Sequence, residues 1–448
     1  MKRFISVLFI LTMVFAFVPS QAAAEAEPVR YTVVFNGTNI PKKAADMIAD
    51  AGGELVKTFE EIGVGIAISS DPDFGEAVKG VKGILAADAE RYLALPQIDA
   101  YEYTDQEAAV VEPYYSIYQW DIRRVRADQA WEKTTGSHDT VVAILDTGIA
   151  WNHPDLASNM VFADCFSTQV NCSVYPDLHW HGTHVAGTVA ANSGGGVVGV
   201  GPDLGLASYN VFELYNDPVE GPVVVAFDEA IWEAMLDVAD KGFDVINMSL
   251  GSYAVMNEGG AAEWVAWNRV ADYVTRQGVT IVASSGNGNT DLNGPVAHIP
   301  SDVTGIISVG ATGIRPDWAF PQDGFYDVRA DYSNYGASVT LSAPGGDLGP
   351  ADAAYPFPAV YYLIFSSYVV PDPICAATAS CPVGWAWAAG TSMASPHVAG
   401  GAGLVIDNSK KPLNPHQVTS ILKQTAENLG DRQLFGHGML DVEAAVNK

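Results

Sequence analysis

The chain has 448 residues, of which 48% are hydrophobic and only 17% charged, a composition that folds into globular units and excludes a disordered or fibrous polymer. Its formal net charge of −29 repels nucleic acid and anionic membrane surfaces. The one basic cluster, Arg123, Arg124 and Arg126, sits beside Asp121 and Asp128 and reads as a salt-bridged surface, so no nucleic-acid partner is expected.

At the start of the chain, Lys2 and Arg3 precede an apolar run from Phe4 to Val18, and Ala22-Ala23-Ala24 offers the small residues that leader peptidases cut. Residues 1–24 therefore read as an export signal. The run falls short of the roughly 20 apolar residues a spanning helix needs, and no later segment supplies them. The expectation is a secreted, extracellular protein with no membrane anchor once the signal is removed. In such a compartment the four cysteines pair most simply as Cys165–Cys172 and Cys375–Cys381, one of three pairings. Free buried thiols are the alternative; zinc is disfavoured because neither pair has C-x-x-C spacing.

Residues 25–96 change period in the order strand, helix, strand, strand, helix, strand. Tyr31 to Phe35 is β-branched and aromatic, Pro41 to Ala51 is a helix opened by proline, Glu54 to Ser69 holds two strands, Asp73 to Lys82 is a second helix, and Ile84 to Leu93 is a last strand. This is a small α+β unit, βαββαβ and ferredoxin-like. Residues 97–113 are acidic and aperiodic, a linker open to proteolysis.

From residue 114 to 448 strands and helices alternate, the pattern of an α/β domain with a mostly parallel central sheet covered on both faces. Continuous apolar strands are expected at Thr140 to Leu145, Leu206 to Phe212, Val245 to Met248, Val279 to Ala283, Ile306 to Val309 and Val339 to Leu341. Helices are expected at Val224 to Lys241 and Glu263 to Gln277.

Functional groups in such sheets gather at the carboxyl ends of strands. The first strand ends in Asp146-Thr-Gly148. His181-Gly-Thr-His184-Val-Ala-Gly187 puts a histidine at the head of a small-residue helix. Gly390-Thr-Ser392-Met-Ala-Ser-Pro396-His-Val-Ala-Gly400 puts a serine at the head of an apolar one. Singly, each has an ordinary reading as a turn residue, a core histidine or a helix cap. In the order Asp, His, Ser they match one of the few chain orders of acyl-transfer triads.

At these three segments the sequence resembles the subtilisin-like serine peptidases. The likeness extends through Asn247-Met-Ser249-Leu-Gly251, Ser285-Gly286-Asn287 and Gly436-His-Gly438-Met-Leu-Asp441-Val, covering Gln119 to the end. It implies a three-layer subtilisin-like domain and a serine endopeptidase with Asp146, His181 and Ser392 as its triad. Asn287 would be the oxyanion donor, and Ser249, Leu250, Gly251, Ser284, Ser285, Gly286 and His298 would line the substrate pocket, His298 near its floor. It also implies that the βαββαβ unit is a pro-domain, acting on its own catalytic domain as chaperone and inhibitor until cleavage between about Leu95 and Pro113. Polypeptides are the expected substrates, either many proteins or one dedicated precursor, and the enzyme is expected to be a monomer.

Two departures stand out. Gly345 to Ala389 is longer than the matching loop of compact relatives and reads either as a disulfide-braced flap beside the cleft or as surface elaboration. No cofactor is needed for the chemistry. Relatives often bind calcium, and Asp155 matches one ligand, but Asn192-Ser-Gly-Gly-Gly196 is glycine-rich and one residue short, which leaves that site open. Two rivals differ in kind. A zinc peptidase is prompted by His179, His181 and His184 but lacks H-E-x-x-H. An inactive binding homologue would have no reason to keep every catalytic residue.

Overall fold

The computed structural model describes residues 28–95, 101–102, 118–169, 172–176, 178–217, 219–255, 260–314, 327–347 and 362–448. The export signal and most of the 97–113 linker lie outside the described residues.

Strand Val141–Asp146 shows why a sheet forms at the centre. Its successive side chains point to opposite faces, and every one of them is buried. Val142 and Ile144 join one apolar core, with Val185, Val189, Met393 and Val398. Val141, Ala143 and Leu145 join a second, with Ile231, Met235, Trp267 and Val270. Helices His181–Ala190 and Thr391–Asp407 thus cover one face, and Asp228–Lys241 and Ala261–Arg276 the other.

The sheet runs Asp327–Arg329, Ile306–Ile314, Thr280–Ser284, Val245–Met248, Val141–Asp146, Gly205–Asn210, Met160–Cys165, with Leu341–Pro344 also on Ile306–Ile314. All pairings are parallel except that of Asp327–Arg329. The expected strands are present to within a few residues. Met160–Cys165 went unread because it is an edge strand, half exposed, whose apolar run Met160 to Ala163 is cut short by Asp164.

The helix expected from Val224 begins only at Asp228. Residues Val223, Val224 and Val225 are β-branched and belong to strand Gly221–Phe227, which forms a hairpin with Glu213–Asp217.

The N-terminal unit is an antiparallel sheet in the order Glu54–Phe59, Val64–Ser69, Val29–Phe35, Ile84–Ala89, with helices Ala44–Asp50 and Phe74–Lys79 on one face. Val33 and Phe35 point toward those helices. Val34, Phe59, Val64 and Ile66 point the other way and merge with the second core, where Phe59 meets Trp232 edge-on at 5.9 Å. The strand expected over Ile84 to Leu93 is two strands. Tyr92–Ala94 leaves the unit and pairs antiparallel with Gly221–Phe227.

Both local disulfides, Cys165–Cys172 and Cys375–Cys381, are formed, and no described cysteine is free. Within the long insertion, Ile364–Val369 and Val383–Ala388 form a hairpin whose first strand is wholly buried against helix His181–Ala190. The first of these strands is therefore core, and the turn region between the two carries the Cys375–Cys381 bridge, with Cys381 buried and Ile374 84% exposed. No described helix is long and apolar enough to cross a membrane.

Candidate active site

Val141–Asp146 lies where the strand order reverses, with Gly205–Asn210 on one side and Val245–Met248 on the other, so its carboxyl end opens a crevice. Asp146 ends that strand, wholly buried, and accepts the Thr147 N–H at 2.7 Å. The other partner of its carboxylate is His181, whose Nδ1 lies 2.8 and 2.9 Å from the two oxygens. That contact fixes Nδ1 as the protonated nitrogen and Nε2 as the basic one. Thr147 Oγ1 accepts from the Gly182 N–H at 2.9 Å and donates to the His179 carbonyl, tying the two segments together.

Ser392 opens helix Thr391–Asp407, which packs on the histidine helix. Its hydroxyl is turned to the Ser249 carbonyl at 3.3 Å, while His181 Nε2 is buried without a hydrogen-bonding partner. The Asp146–His181 pair is thus assembled, while Ser392 and His181 are not hydrogen-bonded to each other; in resting sites such bonds are often long and tighten only when substrate binds.

Pro396 has no N–H to give the Ser392 carbonyl, and Ser249 Oγ supplies the missing bond at 2.8 Å, itself held by Asn247 Nδ2 at 3.0 Å. Sequence reasoning placed Ser249 in the pocket wall. Its side chain instead braces the serine helix from behind, while its neighbours Leu250 and Gly251 face the cavity.

That cavity, about 350 Å³, is lined by Leu250, Gly251, Tyr253, Ser284, Gly286, Asn287, Gly288, His298, Thr391 and Ser392, with Leu95 at its mouth. Ser285 is the other predicted wall residue that does not line it; its side chain is buried, and its carbonyl accepts from Asn334. Asn287 is oriented by Thr391, a residue not singled out in the sequence. The Thr391 N–H, 2.9 Å away, can only donate, so the Asn287 atom facing it is the carbonyl oxygen, which leaves the NH2 group free.

His298, expected near the floor, lines the cavity. Its ring is wedged between the two walls, so that a methyl group added at either Gly251 or Gly286 would strike it. Nδ1 lies 2.9 Å from Ser301 Oγ, which also lies 3.3 Å from the His298 carbonyl. Burial pushes the imidazole down to about 4, so it is neutral near pH 7. Burial, aided by the neighbouring His181, also lowers His179 to about 4 and His184 to about 3.

Asp155 was the candidate calcium ligand. Its carboxylate takes the backbone N–H groups of Gly195, Gly196 and Val197, the last two at 3.0 and 3.4 Å, and Trp385 Nε1 at 2.8 Å. A loop that turns N–H donors inward is a nest for an anion, whereas calcium needs oxygens. The N–H donors gathered on this carboxylate do not supply the oxygens a cation needs there.

A parallel sheet with a buried Asp–His pair and a helix-borne serine at one crevice defines a serine peptidase of the three-layer type. The model of the subtilase family (Peptidase S8) matches residues 137–438, two thirds of the sequence, and the chain belongs to that family. Subtilisin DY of Bacillus licheniformis is 31% identical over 333 residues, 73% of this chain and 98% of its own. Alkaline elastase YaB of Bacillus sp. (strain YaB) is 31% identical over 438 residues, 98% and 96% of the two chains. Among solved structures, the epidermin leader peptide processing serine protease of Staphylococcus aureus aligns with a TM-score of 0.70 at 22% identity, over 94% of this chain and 98% of its own. A lanthipeptide protease aligns with a TM-score of 0.58 at 26% identity, over 74% and 94%. The protein is a serine endopeptidase.

Proposed function

We propose that this chain is a secreted endopeptidase made as an autoprocessed zymogen, with Asp146, His181 and Ser392 as its triad. His181 takes the Ser392 proton through Nε2 as the hydroxyl attacks the scissile carbonyl, and returns it to the leaving amine. Asp146 holds the tautomer and stabilises the imidazolium without itself being protonated. The Asn287 NH2 group and the Ser392 N–H, at a helix start, receive the charge that develops on the carbonyl oxygen. Water then cleaves the acyl-enzyme by the same relay.

The observation that carries this reading is the course of the chain itself. Tyr92–Ala94 pairs with Gly221–Phe227, and the Leu95 N–H donates to the Val224 carbonyl at 3.3 Å. Tyr101–Glu102 pairs with Val383–Ala388, just before the serine helix. Leu95 shares the cavity with Ser392 and Asn287. A peptide so held on both sides is presented as a substrate is, by backbone pairing with strand edges. The N-terminal unit is then the pro-domain, and its bond to the enzyme lies between Leu95 and Tyr101.

The test is purification of the wild type and of Ser392→Ala. The wild type should show a new N-terminus within residues 96–101, and the variant should stay uncut. Processing of the variant in isolation, or a mature terminus far outside this window, overturns the assignment. A second reading, service to one dedicated precursor, is favoured by the likeness to an epidermin leader peptide processing protease and to a lanthipeptide protease.

A further inference from the structure

Positive charge is scarce in this chain and unevenly placed. From residue 114 onward there are six lysines, Lys133, Lys241, Lys410, Lys411, Lys423 and Lys448, in a protein of formal net charge −29. Four of the six, Lys133, Lys410, Lys411 and Lys448, line one cavity of about 540 Å³. No stretch of sequence announces the group, because only folding brings Lys133 and Lys448 to the pair at 410 and 411.

The cavity sits where helices end. The serine helix Thr391–Asp407 stops beside it, and helices Pro415–Thr425 and Val442–Val446 supply other walls. Asn408 Nδ2 donates to the Val446 carbonyl at 2.7 Å and ties two of these ends together. The apolar lining, Val405, Leu413, Ile421 and Val446, is buried or half-buried, whereas all four lysines are exposed. Cations just past a helix C-terminus complement its dipole, which accounts for Lys410 and Lys411. It does not account for Lys133 and Lys448, which come from other parts of the fold. Among the described residues the ion-paired lysines are Lys57, Lys79 and Lys241, none of them here. The acids of the adjoining helix ends are engaged elsewhere: Asp407 accepts from the Thr134 and Ser137 hydroxyls, and Asp441 and Glu443 pair with Arg126.

Uncompensated cations beside an apolar lining are complementary to a peptide that mixes carboxylates with aliphatic side chains. We propose that this cavity is a docking site, remote from the cleft, for acidic stretches of the polypeptides the enzyme cuts. Ser392 opens the serine helix and Asn408 ends it, which separates the cleft from the cavity by about 24 Å at the ordinary helical rise. An extended chain needs at least about seven residues to cover that distance. The site therefore serves substrates whose acidic stretch lies well away from the residues held at the cut. The proposal rests on the endopeptidase reading and adds a second point of attachment, which raises the effective concentration of the scissile segment.

The experiment uses the purified enzyme with its serine blocked by a sulfonyl fluoride. The probe is a capped peptide with the sequence of residues 105–112, in which Asp105, Glu107 and Glu112 flank an apolar centre. At low salt it should bind about 10-fold more tightly than its form carrying Asp105→Asn, Glu107→Gln and Glu112→Gln, and Lys410→Ala combined with Lys411→Ala should weaken it about 5-fold. With the active enzyme, a fluorogenic peptide joined to the acidic segment through a Gly-Ser spacer of about 20 residues should show kcat/KM about 5-fold above that of its neutral counterpart. In the lysine variant that ratio should fall to about 1, while the bare fluorogenic peptide is cut as by the wild type. Acidic and neutral peptides bound alike overturn the site. Displacement of the probe by inorganic phosphate at constant ionic strength makes it a small-anion site and overturns the polypeptide ligand, and binding without the gain in rate overturns the link to substrates. An enzyme that neither takes up the fluoride nor cuts the bare peptide overturns the endopeptidase reading, and the docking role with it. The acidic and neutral peptides on the wild type decide the question even if the variant does not fold.

Discussion

If the N-terminal unit is the pro-domain proposed above, raising the pH should loosen it from the catalytic domain, because their shared face holds more carboxylates than it can pair. Asp88 and Glu90 of the N-terminal unit cap two helices of the catalytic domain, accepting the Ala262 N–H at 2.9 Å and the Glu229 N–H at 3.3 Å. Three more acids, Asp228, Glu229 and Glu263, come from those helices. Arg30 pairs with Glu90 and Glu229, and Arg91 reaches Glu263 only at 4.0 Å. Both Glu263 oxygens and one Asp228 oxygen are buried without hydrogen-bond partners.

Burial pushes Glu90 up to about 7, helped by Glu229 and opposed by Arg30. Burial likewise pushes Glu263 up to about 7, opposed by Arg91, and raises Asp228, with Glu263 adding to the effect. These values lie above the 4.5 of a free carboxyl, so the docked face binds more protons than the separated surfaces. Docking is therefore strongest below about pH 4.5, weakens as the pH rises through about 7, and levels off above it. A displacement of that size is on the order of 3 kcal/mol for each group taken singly. Since the charges are coupled and partly relieved by the arginines, the combined loss should be about 100-fold in affinity between pH 5 and pH 8.

The assay is a dilution series of the self-cleaved, still associated protein at each pH, with activity on a fluorogenic peptide reporting the free enzyme. Glu263→Gln cannot ionise, so it should flatten the pH dependence and bind the pro-domain more tightly at pH 8. A dissociation constant that is constant or falls with rising pH would refute the reasoning.

Two further outcomes follow from the same structure. Asp155→Ala strands the Gly195, Gly196 and Val197 N–H groups and the Trp385 indole, and should cost about 3 kcal/mol or more, read as a lower Tm; chelator should leave the wild-type Tm unchanged, and a large drop would restore a cation to this site. His298→Ala should deepen the cavity between Gly251 and Gly286 and raise kcat/KM for peptides with a large aromatic residue at the cut relative to small ones, whereas an unchanged profile would remove His298 from the specificity floor.

Much of this protein was legible in one dimension because its chemistry and its central strands are local signals. Asp146, His181 and Ser392 each sit at the end of a recognisable run, and strands buried on both faces must be apolar throughout. Edge elements carry no such signature. Met160–Cys165 is half exposed, and Val223 to Val225 could be assigned to strand or helix only by the partner strand that flanks them.

The residue types themselves pointed to the family, to the simplest of the three disulfide pairings, to the order Asp, His, Ser and to a separate βαββαβ unit. The tertiary structure decided what those residues face. Only folding brings Trp385 to Asp155 across 230 positions, Thr391 to Asn287 across 104, and Tyr92 to Asp217 across 125. The physical reason is that a hydrogen bond depends on distance and direction in space, and a sheet that reorders its strands sets these independently of separation along the chain.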